Sequence, residues 1–260
     1  AYSGSGSASP GGMRSPGPLP HSTEMRNHAM HALFYLCRVN RVRQEAAANA
    51  GVIPLLKHVV SSPSALKQLA LPILCDLSRA SKRARNLMWE ADGVRFYLSL
   101  LAETTGYWQI HAVNAISDWL AADTRRVQQV LLLPESLLRV VDLFRSAHAT
   151  TFQSILAPLV NMADRCPPLA TALATTGIFV SELVARLRST KAAIQLKQLL
   201  RLLGCLFDHH PRPVEMVANF GLYPPVAEMA TGDTRFTLVQ QIAKGLLASF
   251  DAQLEAVVTA

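Results

Sequence analysis

Gly51, Gly93, Gly177 and Gly221 recur in one frame: Ala50-Gly51-Val52-Ile53-Pro54, Asp92-Gly93-Val94, Thr176-Gly177-Ile178 and Phe220-Gly221-Leu222. The intervals are 42, 84 and 44 residues, and Glu135 falls at the midpoint of the double step. A unit that returns every 42 residues or so must bury itself against copies of itself. Each frame position predicts the same local order. A short helix such as 81–91 comes first, a glycine closes it in a left-handed cap, and an apolar helix such as 52–60 or 94–101 follows. A longer third helix, as in 64–79, completes the unit.

The third helices carry apolar residues at i, i+3, i+4 and i+7. The series runs Leu33, Leu36, Val39; Ala70, Leu71, Leu74, Leu77; Ala112, Val113, Ile116, Trp119; Ile155, Leu156, Leu159, Met162; and Leu199, Leu202, Leu203, Leu206. The expected fold is an all-α right-handed superhelical solenoid of the armadillo or HEAT kind, with about five repeats. The first repeat is partial from near Ser22, and an amphipathic helix over 234–254 closes the last. Residues 22–260 form one elongated repeat domain, whereas 1–21 read as a Gly/Ser/Pro linker or tag on a piece of something longer.

Chemistry is sparse in this pattern. No Gly-rich phosphate loop, catalytic nucleophile with a base beside it, or three-ligand metal pattern stands out, so no catalytic, metal or cofactor residue is assigned. His28/His31 and His209/His210 read as surface and loop histidines. Cys37, Cys75, Cys166 and Cys205 form no Cys-x-x-Cys pair and read as small core residues of a reduced, cytoplasmic protein. No run reaches the ~18 uninterrupted apolar residues of a membrane span.

Charge carries more. The net charge is +7, and the stretch from Arg38 to Arg85 holds nine basic residues against Glu45 and Asp76, which equals the whole excess. Arg41 and Arg43 follow the first third helix, Lys82, Arg83 and Arg85 the second, and Arg125 and Arg126 the third. Stacking would superimpose these connections into a basic ridge. With the adjoining third-helix residues Phe34, Arg38, Asp76 and Asn114, the ridge is the expected partner surface, open to acidic or phosphorylated peptide. Aromatics do not interleave with it, which argues against single-stranded nucleic acid. A solvated ridge that keeps an apolar chain in solution is the simpler reading of the same charges.

The stretches Ala32-Leu33-Phe34-Tyr35-Leu36-Cys37-Arg38-Val39-Asn40, Arg43-Gln44-Glu45-Ala46-Ala47 and Leu66-Lys67-Gln68-Leu69-Ala70-Leu71-Pro72-Ile73-Leu74-Cys75-Asp76-Leu77 resemble the C-terminal armadillo-like region of the septation-type Ser/Thr kinases. These are the plant mitogen-activated protein kinase kinase kinase epsilon group and its fungal and amoebal relatives. The resemblance implies a non-catalytic interaction and targeting region, a kinase domain elsewhere in the parent, scaffold or small-GTPase partners, and spindle-pole, microtubule or division-site location. No kinase motif is present in the chain itself. A generic armadillo adaptor unrelated to kinases is the alternative. An import-receptor role is not expected, because the Trp-like positions read Phe34, Pro72, Asn114, Ala157 and Arg201 and the Asn-like ones Arg38, Asp76, Asp118, Asn161 and Cys205.

Overall fold

The computed structural model describes residues 22–102, 106–232 and 236–259; the 1–21 segment lies outside the described residues. Helix α1 (Ser22–Cys37) stands alone at the start, and five helix triplets follow. The first helices are α2 (Arg41–Asn49), α5 (Lys82–Glu90), α8 (Thr124–Leu131), α11 (Pro167–Ala174) and α14 (Pro213–Phe220). The second helices are α3 (Val52–Ser61), α6 (Gly93–Leu100), α9 (Pro134–Ser146), α12 (Gly177–Ser189) and α15 (Tyr223–Thr231). The third helices are α4 (Lys67–Ala80), α7 (Gly106–Ala122), α10 (Ala149–Arg165), α13 (Ala193–His209) and α16 (Thr237–Val258). Among the described residues there is no strand.

Local chemistry starts each triplet. Asn40 caps α2 by accepting from the Arg43 N–H, and Ser81 caps α5 by accepting from the Ala84 N–H. Later first helices open instead on proline, Pro167 in α11 and Pro213 in α14, where the missing N–H would have had no partner in the helix. The glycine frame has two physical causes rather than one. Gly51 and Gly221 do adopt left-handed backbone, at φ +82° and +56°. At the second frame position Asp92 takes that conformation instead, at φ +55°, and Gly93 opens α6. Gly93 is required by space, since a Cβ there would meet the Met88 carbonyl oxygen at 2.8 Å and the Trp119 ring at 3.1 Å. Gly177 opens α12 after an extended Thr176, so it caps nothing either.

Third helices stack in series, α1 on α4, α4 on α7, α7 on α10, α10 on α13 and α13 on α16. Their apolar stripes meet the first and second helices in one continuous core from Cys37 to Phe250. Aromatic contacts work within and between repeats: inside the α5–α7 triplet Trp119 packs edge-on against Trp89 and Tyr97, and between neighbouring repeats Phe144 of α9 lies 4.5 Å from Phe179 of α12. The Tyr97 hydroxyl donates to the Leu74 carbonyl at 2.6 Å, linking α6 to α4 from inside the core. All four cysteines are buried and free, and burial pushes the Cys205 thiol up to about 12. One expected core stripe is not core: Leu36 is half exposed, and Val39 lies beyond the end of α1 at φ +58° and 90% exposed. Among the described residues no helix covers that side of α1.

Candidate docking surface

The basic residues sit in helices rather than in the connections the sequence suggested. Arg41 and Arg43 lie in the first turn of α2, Lys82, Arg83 and Arg85 in the first turn of α5, and Arg125 and Arg126 at the start of α8. None of these three helices has an acidic residue in its first turn. Cations at a helix N-terminus oppose the macrodipole by a few tenths of a kcal/mol each, about 0.3–1 at low salt. The arrangement therefore adds side-chain charge to the partial positive charge of the exposed N–H groups along one edge, where third helices end and first helices begin.

The ridge divides into fixed and available charges. The Arg83 Nε donates to Asn49 Oδ1 at 2.7 Å, and the Arg126 guanidinium donates to Asn86 Oδ1 at 2.8 Å, so each reaches back to the preceding first helix. Arg126 is also ion-paired with Asp123 and stacked 5.3 Å over Trp89. Lys57 donates to the Ala91 carbonyl and covers Phe96, and Lys67 lies 5.2 Å over Trp108. These side chains bridge repeats. Arg41, Arg43, Lys82, Arg85 and Arg125 have no ion-pair partner among the described residues, and all but Arg85 are exposed.

Phe34, Arg38 and Asp76 come together in a cleft of about 250 Å³ between α1 and α4, which Cys37, Pro72 and Ile73 complete. Asn114 stands apart on α7, exposed, its amide donating to the Ile110 carbonyl one turn back at 2.8 Å. What the sequence reading missed is the connector. Arg79 pairs with Asp76 at 3.1 Å and with Asp118 of the next third helix at 3.4 Å. Burial raises Asp76 and Asp118 above the usual carboxylate range against the pull of Arg79, while burial and then Arg79 lower His111. The 39-residue step from Arg79 to Asp118 was the available signal, since it nearly equals the repeat. Among the described residues no three His, Cys, Asp or Glu side chains converge as a metal site, and no single helix is long and apolar enough to cross a membrane.

The stacked triplets define the class: this is an armadillo-repeat solenoid. A designed armadillo repeat protein superposes with a TM-score of 0.69 at 18% identity, covering 89% of this chain and 95% of that one. Another, solved in complex with the peptide (KR)4, matches at 0.68 and 16% identity over 88% of this chain and 94% of its own. No family model matches the sequence. The homologues of the chain are septation-type kinases. It is 35% identical over 84% of its length to the cytokinesis protein sepH of Emericella nidulans. It is 36% identical over 75% to MAP3K epsilon protein kinase 1 of Arabidopsis thaliana, and 29% identical over 86% to cell division control protein 7 of Schizosaccharomyces pombe. The chain spans only 16%, 14% and 21% of the length of these three relatives.

Proposed function

We propose that this chain is a non-catalytic docking and targeting module of a septation-type Ser/Thr kinase cascade, its parent carrying the kinase domain elsewhere. The module works in the cytoplasm, at division-site, spindle-pole or microtubule structures. Its partner is a protein, a scaffold or small GTPase, held through an acidic or phosphorylated segment. One observation carries the reading: three successive first helices open on basic residues, five of which have no ion-pair partner among the described residues. The likeness to a designed solenoid that holds the basic peptide (KR)4 supports peptide docking on such a scaffold, and the charge here suits the opposite sign of peptide. The relatives' names support the cell-division setting.

The test is the triple variant Arg41→Glu, Lys82→Glu, Arg125→Glu, which spares the bridging Arg83 and Arg126. Exposed reversals of this kind stay within about 0.5 kcal/mol of stability each, so the melting temperature should hold. Partners captured from dividing cells by the wild-type chain should be lost by the variant. Their association rates should fall by about tenfold and depend steeply on salt, because exposed charges are screened beyond ~8 Å at physiological ionic strength. Unchanged capture and salt dependence would leave the ridge a solubility feature. Phosphorylation of a generic substrate by the purified chain, abolished by a point mutation within it, would overturn the non-catalytic assignment.

A further inference from the structure

The connection between α3 and α4, Ser62-Pro63-Ser64-Ala65-Leu66, is stitched by its own serine hydroxyls. The Ser62 hydroxyl donates to the Val59 carbonyl at 2.8 Å and accepts from the Ser64 N–H at 3.3 Å, and the Ser64 hydroxyl accepts from the Leu66 N–H at 3.2 Å. Ser62 is half-buried and Pro63 exposed. Ser62 is extended, at φ −89° and ψ 164°, because a proline disfavours the helical region for the residue before it. Among the described residues this is the one place where proline follows a serine or threonine. A serine held extended, with a proline after it that brings no N–H to be satisfied, is the acceptor that a proline-directed kinase reads.

The same connection walls a polar cavity of about 410 Å³ that reaches the next repeat. Ser62 and Pro63 line it together with Lys67 of α4, Ser99 at the end of α6 and Trp108 in α7, and no acidic side chain is among its described lining residues. Lys67 lies 5.2 Å over the Trp108 ring and has no ion-pair partner among the described residues. It is also the first residue of α4, whose first turn holds no acidic residue and whose start has no side-chain cap. A cation and the positive end of a helix therefore border the cavity that Ser62 enters, an environment that favours a dianion on that serine. Losing the hydroxyl proton costs little, because the Ser62 N–H also donates to the Val59 carbonyl, at 3.2 Å.

We propose that Ser62 is a phosphorylation site for a proline-directed Ser/Thr kinase, and that Lys67 holds the phosphoserine so that it joins the α3–α4 connection to α6 and α7 of the next repeat. In the modifying step the Ser62 Oγ attacks the γ-phosphorus of ATP, and the bond from that phosphorus to the β–γ bridging oxygen breaks. ADP leaves, and the hydroxyl proton passes to the catalytic carboxylate of the kinase. The mark lies at the opposite end of α4 from Lys82 and Arg85, about 20 Å away for a helix of 14 residues. It acts on the stacking of the first two repeats and leaves the charge of the basic ridge in place.

The test takes the whole 260-residue chain, a purified proline-directed Ser/Thr kinase and ATP, with phosphopeptides mapped by mass spectrometry. Phosphate should appear at Ser62 and be lost there in Ser62→Ala, with helicity by circular dichroism the same before and after. Ser9-Pro10 and Ser15-Pro16 carry the same dipeptide in the same chain. Incorporation at either with none at Ser62 overturns the inference, as does none at Ser62 from an enzyme that phosphorylates a short Ser-Pro peptide in the same tube. Phosphorus NMR then tests the holder. A phosphoserine in water titrates near about pH 6, and Lys67 should hold the Ser62 phosphate about half a unit or more below that. Lys67→Gln should return the titration to the free value; identical titrations in the two chains overturn the role of Lys67. Amide exchange across residues 64–69 and at the end of α6 should slow by about threefold or more on phosphorylation. Exchange unchanged at α6 would show that the phosphate does not join the two repeats.

Discussion

Gly51 and Gly93 hold matching positions in the repeat, yet a methyl group added at each meets a different obstacle. At Gly51 nothing lies within 4 Å of the added Cβ, and the cost is the positive φ alone. Gly51→Ala should therefore destabilise by about 1 kcal/mol through backbone strain. At Gly93 the backbone is ordinary and the Met88 carbonyl blocks the space at 2.8 Å, so Gly93→Ala should cost about 1–3 kcal/mol by overpacking. Urea melts rank the two, and equal losses would contradict the assignment. The Arg79 cluster offers a second residue-scale measurement. His111 is held below its ordinary value of 6.5 by burial and then by Arg79, so the stability that depends on its neutral form is fully present above 6.5 and is lost as pH falls from there through the lower value of the folded state. Asp76 and Asp118 lie above 3.8, chiefly through burial; their ionised forms are disfavoured by folding, and that penalty disappears as pH falls toward 3.8. Arg79 pulls all three values down, so Arg79→Met should move all three up in an NMR titration. Movement of His111 downward would show that Arg79 does not act on it.

Between elements, the joints that matter most were the least visible in sequence. The stripe of each inner third helix was legible because a spacing of three and four residues has only one helical explanation. The rungs between first helices were not, because Asn49 and Arg83, or Asn86 and Arg126, are ordinary surface residues until stacking brings them to 2.7 and 2.8 Å. A double-mutant cycle on Arg126 and Asn86 should return a coupling of about 0.5–1 kcal/mol, modest because Arg126 is partly exposed and shares itself with Asp123 and Trp89. Additivity would mean the rung is geometric only. Tyr97→Phe removes the donor to the buried Leu74 carbonyl and should cost about 1–2 kcal/mol in thermal or urea unfolding. An unchanged melting temperature would show that the carbonyl finds another donor.

Across the whole molecule, each repeat touches mainly its neighbours, so stability is distributed along the stack rather than held in one centre. The third helices α7 and α10 lie in the middle of the series, with two further layers on either side of the pair. Amide exchange should be slowest in α7 and α10 and quicken toward α1 and α16 as neighbours are lost. Uniform protection from end to end would mean that the solenoid unfolds as a single cooperative unit. The two ends of the ridge differ too. Residues 131–260 carry eleven basic against ten acidic groups, so the excess of positive charge lies in the N-terminal half of the sequence.

The repeat period, the helical class and the concentration of positive charge were all determined by the order of residues, because periodicity and charge are properties of the string. Which arginines are spent as bridges and which remain available was decided by the tertiary structure, since the partner of Arg126 sits forty residues away. The fate of Leu36 and Val39 was decided there as well. Their pattern is that of buried residues in every other third helix, and exposure depends on whether a neighbour exists to cover them, which no local pattern encodes.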